Sequence, residues 1–213
     1  MKGFVKAAYV LGLLLLCAAA RAGQPVETIE KMVRCKLSEI KAYVSYVPGG
    51  TTRQALEKKH AGKGLIRVVS GGYFNPDAKP LSNVDYTLVK GRMRVSYLTK
   101  KLRPIIFFSP RYGARIEWVD PAQGQFLRHR EEYDGLAVDY CCQKPAKRLC
   151  RTIIGITKTT LSVYQVRGTE QACRDHMLAQ GFKIDQYVFT DGGDSTLKTT
   201  SMPSHILIFK KSG

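Results

Sequence analysis

The sequence predicts an α+β fold: a single domain with a strand-rich mixed sheet core and two or three packed helices. Short runs of β-branched and aromatic residues, such as LIRVV, RTIIGI and HILIF, recur between turns rich in glycine and proline. Few segments show apolar residues at helical spacing, so strands are expected to outnumber helices. The chain of 213 residues is long enough to bury a core and short enough for one domain.

Three segments are predicted to be helical. Residues 27–40 carry apolar side chains three and four positions apart. Residues 52–61 form a short helical pattern that ends before Gly62, and Thr169 caps a third helix that runs to Gln180. The predicted strands are residues 41–47, 65–69, 86–89, 92–98, 105–108, 114–119, 136–140, 151–156, 160–166, 187–190 and 205–209.

The first 22 residues are predicted to be a cleaved secretory signal peptide, with the folded domain in residues 23–213. Two lysines and an apolar run over residues 7–20 precede a small-residue end, Ala20-Arg21-Ala22. The run is short for a bilayer span, and no second apolar segment follows it. We therefore expect an exported protein, periplasmic or secreted, with no transmembrane segment after cleavage.

The charge of the chain favours polyanionic partners. Its 34 Lys and Arg residues exceed its 17 Asp and Glu residues, which gives a formal net charge of +17. For an exported protein this predicts an anionic glycan or an anionic cell-surface polymer. No aromatic and basic motif of a nucleic-acid-binding module occurs, which argues against nucleic acid. No metal-ligand spacing stands out, so neither a metal nor another cofactor is predicted.

Five cysteines follow the predicted signal peptide: Cys35, Cys141, Cys142, Cys150 and Cys173. In an oxidising compartment such residues form disulfides, and the odd count leaves one thiol free or paired between chains. A bridge from Cys141 or Cys142 to Cys150 would close a short basic loop. The sequence leaves the pairing open.

Two predicted strands end in paired glycines flanked by polar residues, in VVSGGYFNP (residues 68–76) and VFTDGGDSTL (residues 188–197). Glycine pairs let the backbone approach a ligand closely, and their amides form a concavity that binds anions. Asp191 and Asp194 flank the second pair. The same dipeptides also form ordinary hairpin turns, so the pattern alone does not define a reaction.

The chain resembles the phosphodiester glycosidase family, whose members include uncovering enzymes and bacterial exopolysaccharide-associated proteins. Three motifs carry the resemblance in the family's order: SGGYFN (residues 70–75), RTIIG (residues 151–155) and TDGGDST (residues 190–196). They are similar to the family patterns N-G-G-[YF]-F, R-T-[AS]-[IV]-G and L-D-G-G-G-S-[TS]. A predicted strand and helix lie between the second and third motifs, as in the family.

The resemblance implies an exported hydrolase that cleaves a sugar–phosphodiester, or glycosyl phosphate, linkage. Arg151 is the implied phosphate clamp because its planar guanidinium can hold two phosphate oxygens. Asp191 is the implied carboxylate at the anomeric carbon. The residues implied to bind substrate are Ser70, Gly71, Gly72, Tyr73, Asn75, Thr152, Gly192, Gly193, Asp194, Ser195, Thr196 and His205.

Two departures from the family pattern keep a second hypothesis open. Ser70 stands where the family has Asn, and Asp194 stands where it has the third glycine of its run. The alternative hypothesis is that this chain is a catalytically inactive module that binds anionic glycan or cell-wall polymer. A third interpretation is a small disulfide-stabilised protein whose basic face docks on a membrane or a partner protein.

Overall fold

The structure, a computed structural model, describes residues 25–75, 77, 79–83, 87–90, 92–95, 103–109, 113–119, 134–138 and 144–211. The fold is mostly β, so the predicted α+β fold is wrong. Among the described residues the α-helices number only two. All strand pairs between described residues are antiparallel, where a mixed sheet was predicted.

The strands are β1 (Glu27–Lys36), β2 (Ile40–Thr52), β3 (Leu65–Ser70), β4 (Phe74–Asn75), β5 (Ser82–Asn83), β6 (Thr87–Val89), β7 (Arg92–Val95), β8 (Arg103–Ser109), β9 (Gly113–Val119), β10 (Asp134–Ala137), β11 (Leu149–Ile156), β12 (Thr160–Gly168), β13 (Tyr187–Phe189) and β14 (Ser201–Lys210). The α-helices are α1 (Arg53–Lys59) and α2 (Glu170–Ala179), and short 3-10 helices span Leu37–Glu39 and Gly193–Thr196.

Three larger sheets and one small ladder contain all of these strands. A four-stranded sheet has the order β1-β12-β11-β13, a three-stranded sheet the order β2-β14-β3, and a five-stranded sheet the order β7-β6-β10-β8-β9. Strands β4 and β5 form the separate ladder. The long strand β14 is central in its sheet, so residues on both sides of it are fixed by cross-strand hydrogen bonds.

The helix predicted for residues 27–40 is wrong, because most of this segment is strand β1. Its pairing with β12 shifts register between Thr28 and Glu30 and again between Glu30 and Val33. Each irregularity interrupts the two-residue alternation of an ordinary strand. Ile29 and Met32 are each 39% exposed, so the apolar spacing that imitates a helix does not mark one buried face.

The other two predicted helices and the principal hairpin are confirmed. The Thr52 hydroxyl accepts a hydrogen bond from the Ala55 amide at the start of α1, and Thr169 accepts one from Ala172 at the start of α2. Gly181, with φ of +84°, follows the second helix. Strands β11 and β12 form the predicted antiparallel pair.

One apolar cluster joins the three larger sheets. It includes Val44 of β2, Ile106 of β8, Ile154 of β11 and Ile206 of β14, all of them buried. Burying an aliphatic side chain of this size contributes about 1.5–3 kcal/mol. Because the sheets share this core, the ends of β3, β11 and β13 are held beside one another.

Three cysteines in the described part of the chain are free thiols: Cys35, Cys150 and Cys173. A bridge to Cys150, one of the pairings that the sequence left open, is not present in the structure, and Cys141 and Cys142 lie outside the described residues. The predicted signal peptide also lies outside them and stays a prediction. No helix within the described ranges has both the length and the apolar character needed to cross a membrane.

Candidate functional site

The two glycine turns meet at one end of the molecule. The Asp191 amide donates a hydrogen bond to the Gly71 carbonyl at 3.0 Å, which ties the turn after β13 to the turn after β3. The Thr190 amide donates to the Thr152 carbonyl at 3.1 Å. The three motifs of the sequence therefore lie side by side, although they are far apart in the chain.

The Ser70 hydroxyl lies at the centre of this junction. It donates a hydrogen bond to the Asp191 carbonyl at 2.9 Å, and it lies 3.3 Å from the hydroxyl oxygens of both Thr152 and Thr190. Ser70 and Thr152 are fully buried, and Thr190 is nearly so. The hydroxyl cluster thus connects the ends of β3, β11 and β13 inside the protein.

Close backbone contacts explain two of the glycines. A Cβ added at Gly71 would lie 2.5 Å from the Ser204 carbonyl oxygen, closer than real side chains come. A Cβ added at Gly192 would lie 3.0 Å from the Cys150 carbonyl oxygen. Gly71 is therefore required because β14 passes directly against its turn, and Gly192 leaves little room for a side chain beside β11.

Asp191 is placed on the second turn with its side chain mostly buried. The residue is 8% exposed, and its Oδ1 accepts a hydrogen bond from the Gly192 amide at 2.9 Å. The Gly72 amide donates to the Ser204 hydroxyl at 3.2 Å. Two of the glycine amides that the sequence suggested for phosphate binding therefore already have partners within the protein.

Arg151 uses its guanidinium to hold a neighbouring loop. Nε donates to the Gly168 carbonyl at 3.0 Å, and Nη2 donates to the carbonyls of Lys144 and Lys147, each at 2.9 Å. Arg151 is 5% exposed. Successive strand residues point to opposite faces, so Arg151 is directed away from the hydroxyl cluster that Thr152 joins.

His205 lies on β14, directly across from Ser70 of β3. Its side chain is fully buried, and neither imidazole nitrogen has a hydrogen-bond partner among the described residues. Burial lowers the pKa of His205 to about 4, and the positive charge of Arg53 contributes in the same direction. The ring is therefore neutral at physiological pH.

The other predicted binding residues are distributed around the junction. Thr196 ends the 3-10 helix after Gly193, and its hydroxyl donates to the Gly193 carbonyl at 2.7 Å. Tyr73 is half-buried, whereas Asn75 is exposed and accepts a hydrogen bond from the Asp77 amide. Asp194 and Ser195 lie in the same 3-10 helix, and their side chains are outside the described part of the structure.

A buried charged network below the second turn was missed by sequence reasoning. Arg53 is fully buried, and its Nη1 donates to the Thr196 carbonyl at 2.8 Å. Its Nη2 forms an ion pair with Glu30 of β1 at 3.1 Å, and Arg67 also pairs with Glu30. Gln165, with its amide oriented to satisfy both neighbours, donates to Glu30 at 2.6 Å and accepts from Arg53 at 2.8 Å.

No simple sequence signal marks this network. Arg53 follows the helix-capping Thr52 in an ordinary amphipathic helical pattern, and Glu30 lies in the segment predicted as a helix. The residues of this network come from five separate elements, so only the tertiary structure brings them together. Across the described ranges, His, Cys, Asp and Glu side chains form no group of three or more that could hold a metal ion.

The fold of this chain is similar to that of a solved catalytic domain. A solved structure that shares it is the catalytic domain of zebrafish N-acetylglucosamine-1-phosphodiester alpha-N-acetylglucosaminidase, auto-inhibited by its pro-peptide, with a TM-score of 0.56. The match covers 89% of this chain and 84% of that chain at 9% sequence identity, which relates the two proteins by fold. No protein-family profile and no curated protein matches the sequence.

Proposed function

We propose that the protein is an exported hydrolase that cleaves a sugar–phosphodiester linkage. The observation that carries this proposal is the meeting of the two glycine turns beside Asp191. The proposal is also supported by the similarity of the fold to a catalytic domain whose name specifies a sugar 1-phosphodiester. Export rests on the predicted signal peptide, and the net charge of +17 suits an anionic substrate.

In this proposal Asp191 supplies the carboxylate at the reacting sugar. Cleavage of a glycosidic bond develops positive charge at the anomeric carbon, and a carboxylate stabilises that charge or activates the attacking water. The Gly192 amide and the junction with Gly71 fix the orientation of the Asp191 turn. A phosphate is a good leaving group, so the second carboxyl group of other glycosidases has less to contribute.

Recognition of the phosphate in this proposal requires a cation. Arg151 is the predicted clamp, and its bonds to the carbonyls of Lys144 and Lys147 also fix the backbone of a loop that carries these two exposed lysines. Only the backbone at Cys150 and Arg151 packs against Gly192 of the second turn, so the guanidinium would have to leave its carbonyl partners to contact a phosphate there. Since Arg151 also has a structural role, Asp191 gives the cleaner test of catalysis.

The test is release of free sugar from a sugar 1-phosphodiester of a small alcohol. Asp191→Asn keeps the size of the side chain and removes its charge, so we expect the rate to fall at least about a hundredfold, the usual scale for loss of an acid or base. Asp185→Asn, at an exposed position, is the matched control and should retain full activity. Equal rates in the wild type and Asp191→Asn would exclude the proposed role of Asp191.

A binding module of the same fold is the second candidate. Three observations favour it: the Gly72 and Gly192 amides are engaged, Arg151 is bonded to carbonyls, and Ser70 is fully buried. A module would bind an anionic glycan without releasing sugar. Its affinity would fall steadily with salt and would survive Asp191→Asn, because screening weakens exposed charges.

A further inference from the structure

A cavity lies at the opposite end of β3 and β14 from the glycine turns. Its volume is about 1000 Å³, and its lining includes Cys35, Lys36, Ile40, Ile66, Lys210 and Lys211. Ile66 is four residues from Ser70 along β3, which separates the cavity from the turns by about 13 Å of strand. A cavity of this size accommodates a small organic ligand.

The floor of the cavity is apolar. Ile40 is 5% exposed and belongs to the central core, and Ile66 and Cys35 pack half-buried against the same cluster. Burial raises the pKa of the Cys35 thiol, and the nearby Glu39 carboxylate adds to the effect. The thiol therefore contributes an uncharged, weakly polar surface to the floor.

The rim of the cavity is positively charged. Lys36 is paired with Glu39 at 3.2 Å, whereas Lys210 and Lys211 form no ion pair with any described residue. Arg34 also lines the cavity, and its guanidinium is bonded to the hydroxyls of Ser162 and Tyr164. Lys210 and Lys211 are therefore two lysines without a described acidic partner beside the apolar floor.

We propose that this cavity binds an anionic amphiphile: a phosphate monoester headgroup carried on an alkyl chain. A phosphate monoester has a charge of about −1.5 to −2 at pH 7, which matches the two unpaired lysines. The alkyl chain of the ligand would cover Ile40, Ile66 and Cys35. A small hydrophilic anion would leave these three side chains in contact with water. This inference is independent of the proposed hydrolase activity.

The experiment measures binding of dodecyl phosphate, below its micelle-forming concentration, to the full chain by calorimetry. The double variant Lys210→Gln/Lys211→Gln should weaken binding at least about tenfold, since each lysine contributes a charged contact. Lys58→Gln/Lys59→Gln, two exposed lysines of α1, is the matched control and should bind as the wild type does. Far-UV circular dichroism checks that each variant folds.

A second measurement reports on the floor of the cavity. Bound dodecyl phosphate should slow maleimide labelling of Cys35 at least about tenfold, measured peptide by peptide, while labelling of the half-buried Cys150 is unchanged. Inorganic phosphate has the charge without the alkyl chain, and dodecyl maltoside has the alkyl chain without the charge. Both should bind more weakly than dodecyl phosphate. Equal binding by either probe, an unaffected lysine variant or an unprotected Cys35 overturns the proposal.

Discussion

Ser70 joins three segments of the chain through one hydroxyl group. It donates to the Asp191 carbonyl and contacts the hydroxyls of Thr152 and Thr190. In a buried setting each such contact must be satisfied within the protein, because the hydroxyl has no access to water. Ser70 therefore helps to set the orientation of the Asp191 turn. The longer amide side chain of Asn, which the similar family has at this position, would alter that orientation.

His205 should make the protein sensitive to mild acid. Its pKa is about 4 in the folded protein, against an ordinary value of 6.5, so the unfolded chain binds a proton more readily. Stability is therefore fully present above pH 6.5 and declines as the pH falls towards 4. We expect His205 to account for a loss of about 2 kcal/mol in the free energy of unfolding between pH 7 and pH 4.5.

Urea unfolding of His205→Leu at the two pH values measures this contribution. The apolar replacement cannot take up a proton, so the variant should lose less stability on acidification than the wild type does. His60→Gln is the control, because the His60 ring is less completely buried and its pKa is lowered less markedly. An identical acid response in His205→Leu and the wild type would contradict the assignment.

At the scale of single residues, the sequence indicates which turns carry polar groups but not what each group contacts. Ser70 and Asp191 could be selected because both follow strands that end in glycine pairs. The hydrogen-bond partners of Arg151 could not be predicted from the sequence, because they are backbone carbonyls, which every residue has. His205 was selected on its position near the last strand, and its burial appears only when β14 becomes the central strand of a sheet.

At the scale of elements, a single buried cation connects α1, β1 and the second glycine turn. Replacing Arg53 by Met leaves Glu30 without this partner and removes the bond to the Thr196 carbonyl. Breaking a fully buried ion pair costs about 3–5 kcal/mol, but Glu30 is partly exposed and keeps Arg67 as a partner. We therefore expect Arg53→Met to lower the free energy of unfolding by about 1.5–3 kcal/mol, the scale of a hydrogen bond to a charged group, measured by urea denaturation.

The double variant Arg53→Met/Glu30→Gln tests the physical reason. In Arg53→Met the Glu30 carboxylate keeps only Arg67 as a cationic partner, so replacing Glu30 as well removes an incompletely compensated charge and part of the lost stability should return. Lys58→Met changes an exposed cation on the same helix to the same residue and should have little effect. A double variant that is simply the sum of the two single variants would show that the pair is not coupled.

The elements that the sequence predicted best are those whose signals are local. Thr52 and Thr169 cap their helices through bonds to residues three positions ahead, so the sequence contains both partners. Strand β1 was mispredicted because its identity depends on pairing with β12 and on two register shifts. Those features involve residues more than a hundred positions away, which a periodicity analysis does not include.

At the scale of the whole molecule, the three larger sheets are expected to unfold together because they share one core. Ile206 is fully buried in that core. Ile206→Ala should lower the free energy of unfolding by about 2–5 kcal/mol. The transition followed by fluorescence of Trp118, the sole tryptophan, should coincide with that followed by far-UV circular dichroism.

Ile184→Ala is the matched control for this prediction. Ile184 is 58% exposed, so its truncation should change stability little. Trp118 lies on β9 of the five-stranded sheet, whereas Ile206 lies in the three-stranded sheet. Two separated transitions in Ile206→Ala would show that the sheets are stabilised independently.

The fold class illustrates how far composition can lead. Strand dominance was predictable because β-branched and aromatic runs recur between turns. The assignment to α+β was wrong because it placed a helix at β1 and could not determine the strand order. The order of β11, β12 and β13 depends on which faces the shared core buries, and this is a property of the folded chain.

The ion pair between Glu30 and Arg53 limits how a recombinant version can be trimmed. Glu30 lies only a few residues after the predicted cleavage position. Polar residues at such an N-terminus are often removed when a protein is truncated for expression. A start at residue 31 would remove this carboxylate and leave the fully buried Arg53 with only the longer ion pair to Glu57, at 3.8 Å. Purification yields should therefore fall sharply between chains that begin at residue 25 and chains that begin at residue 31.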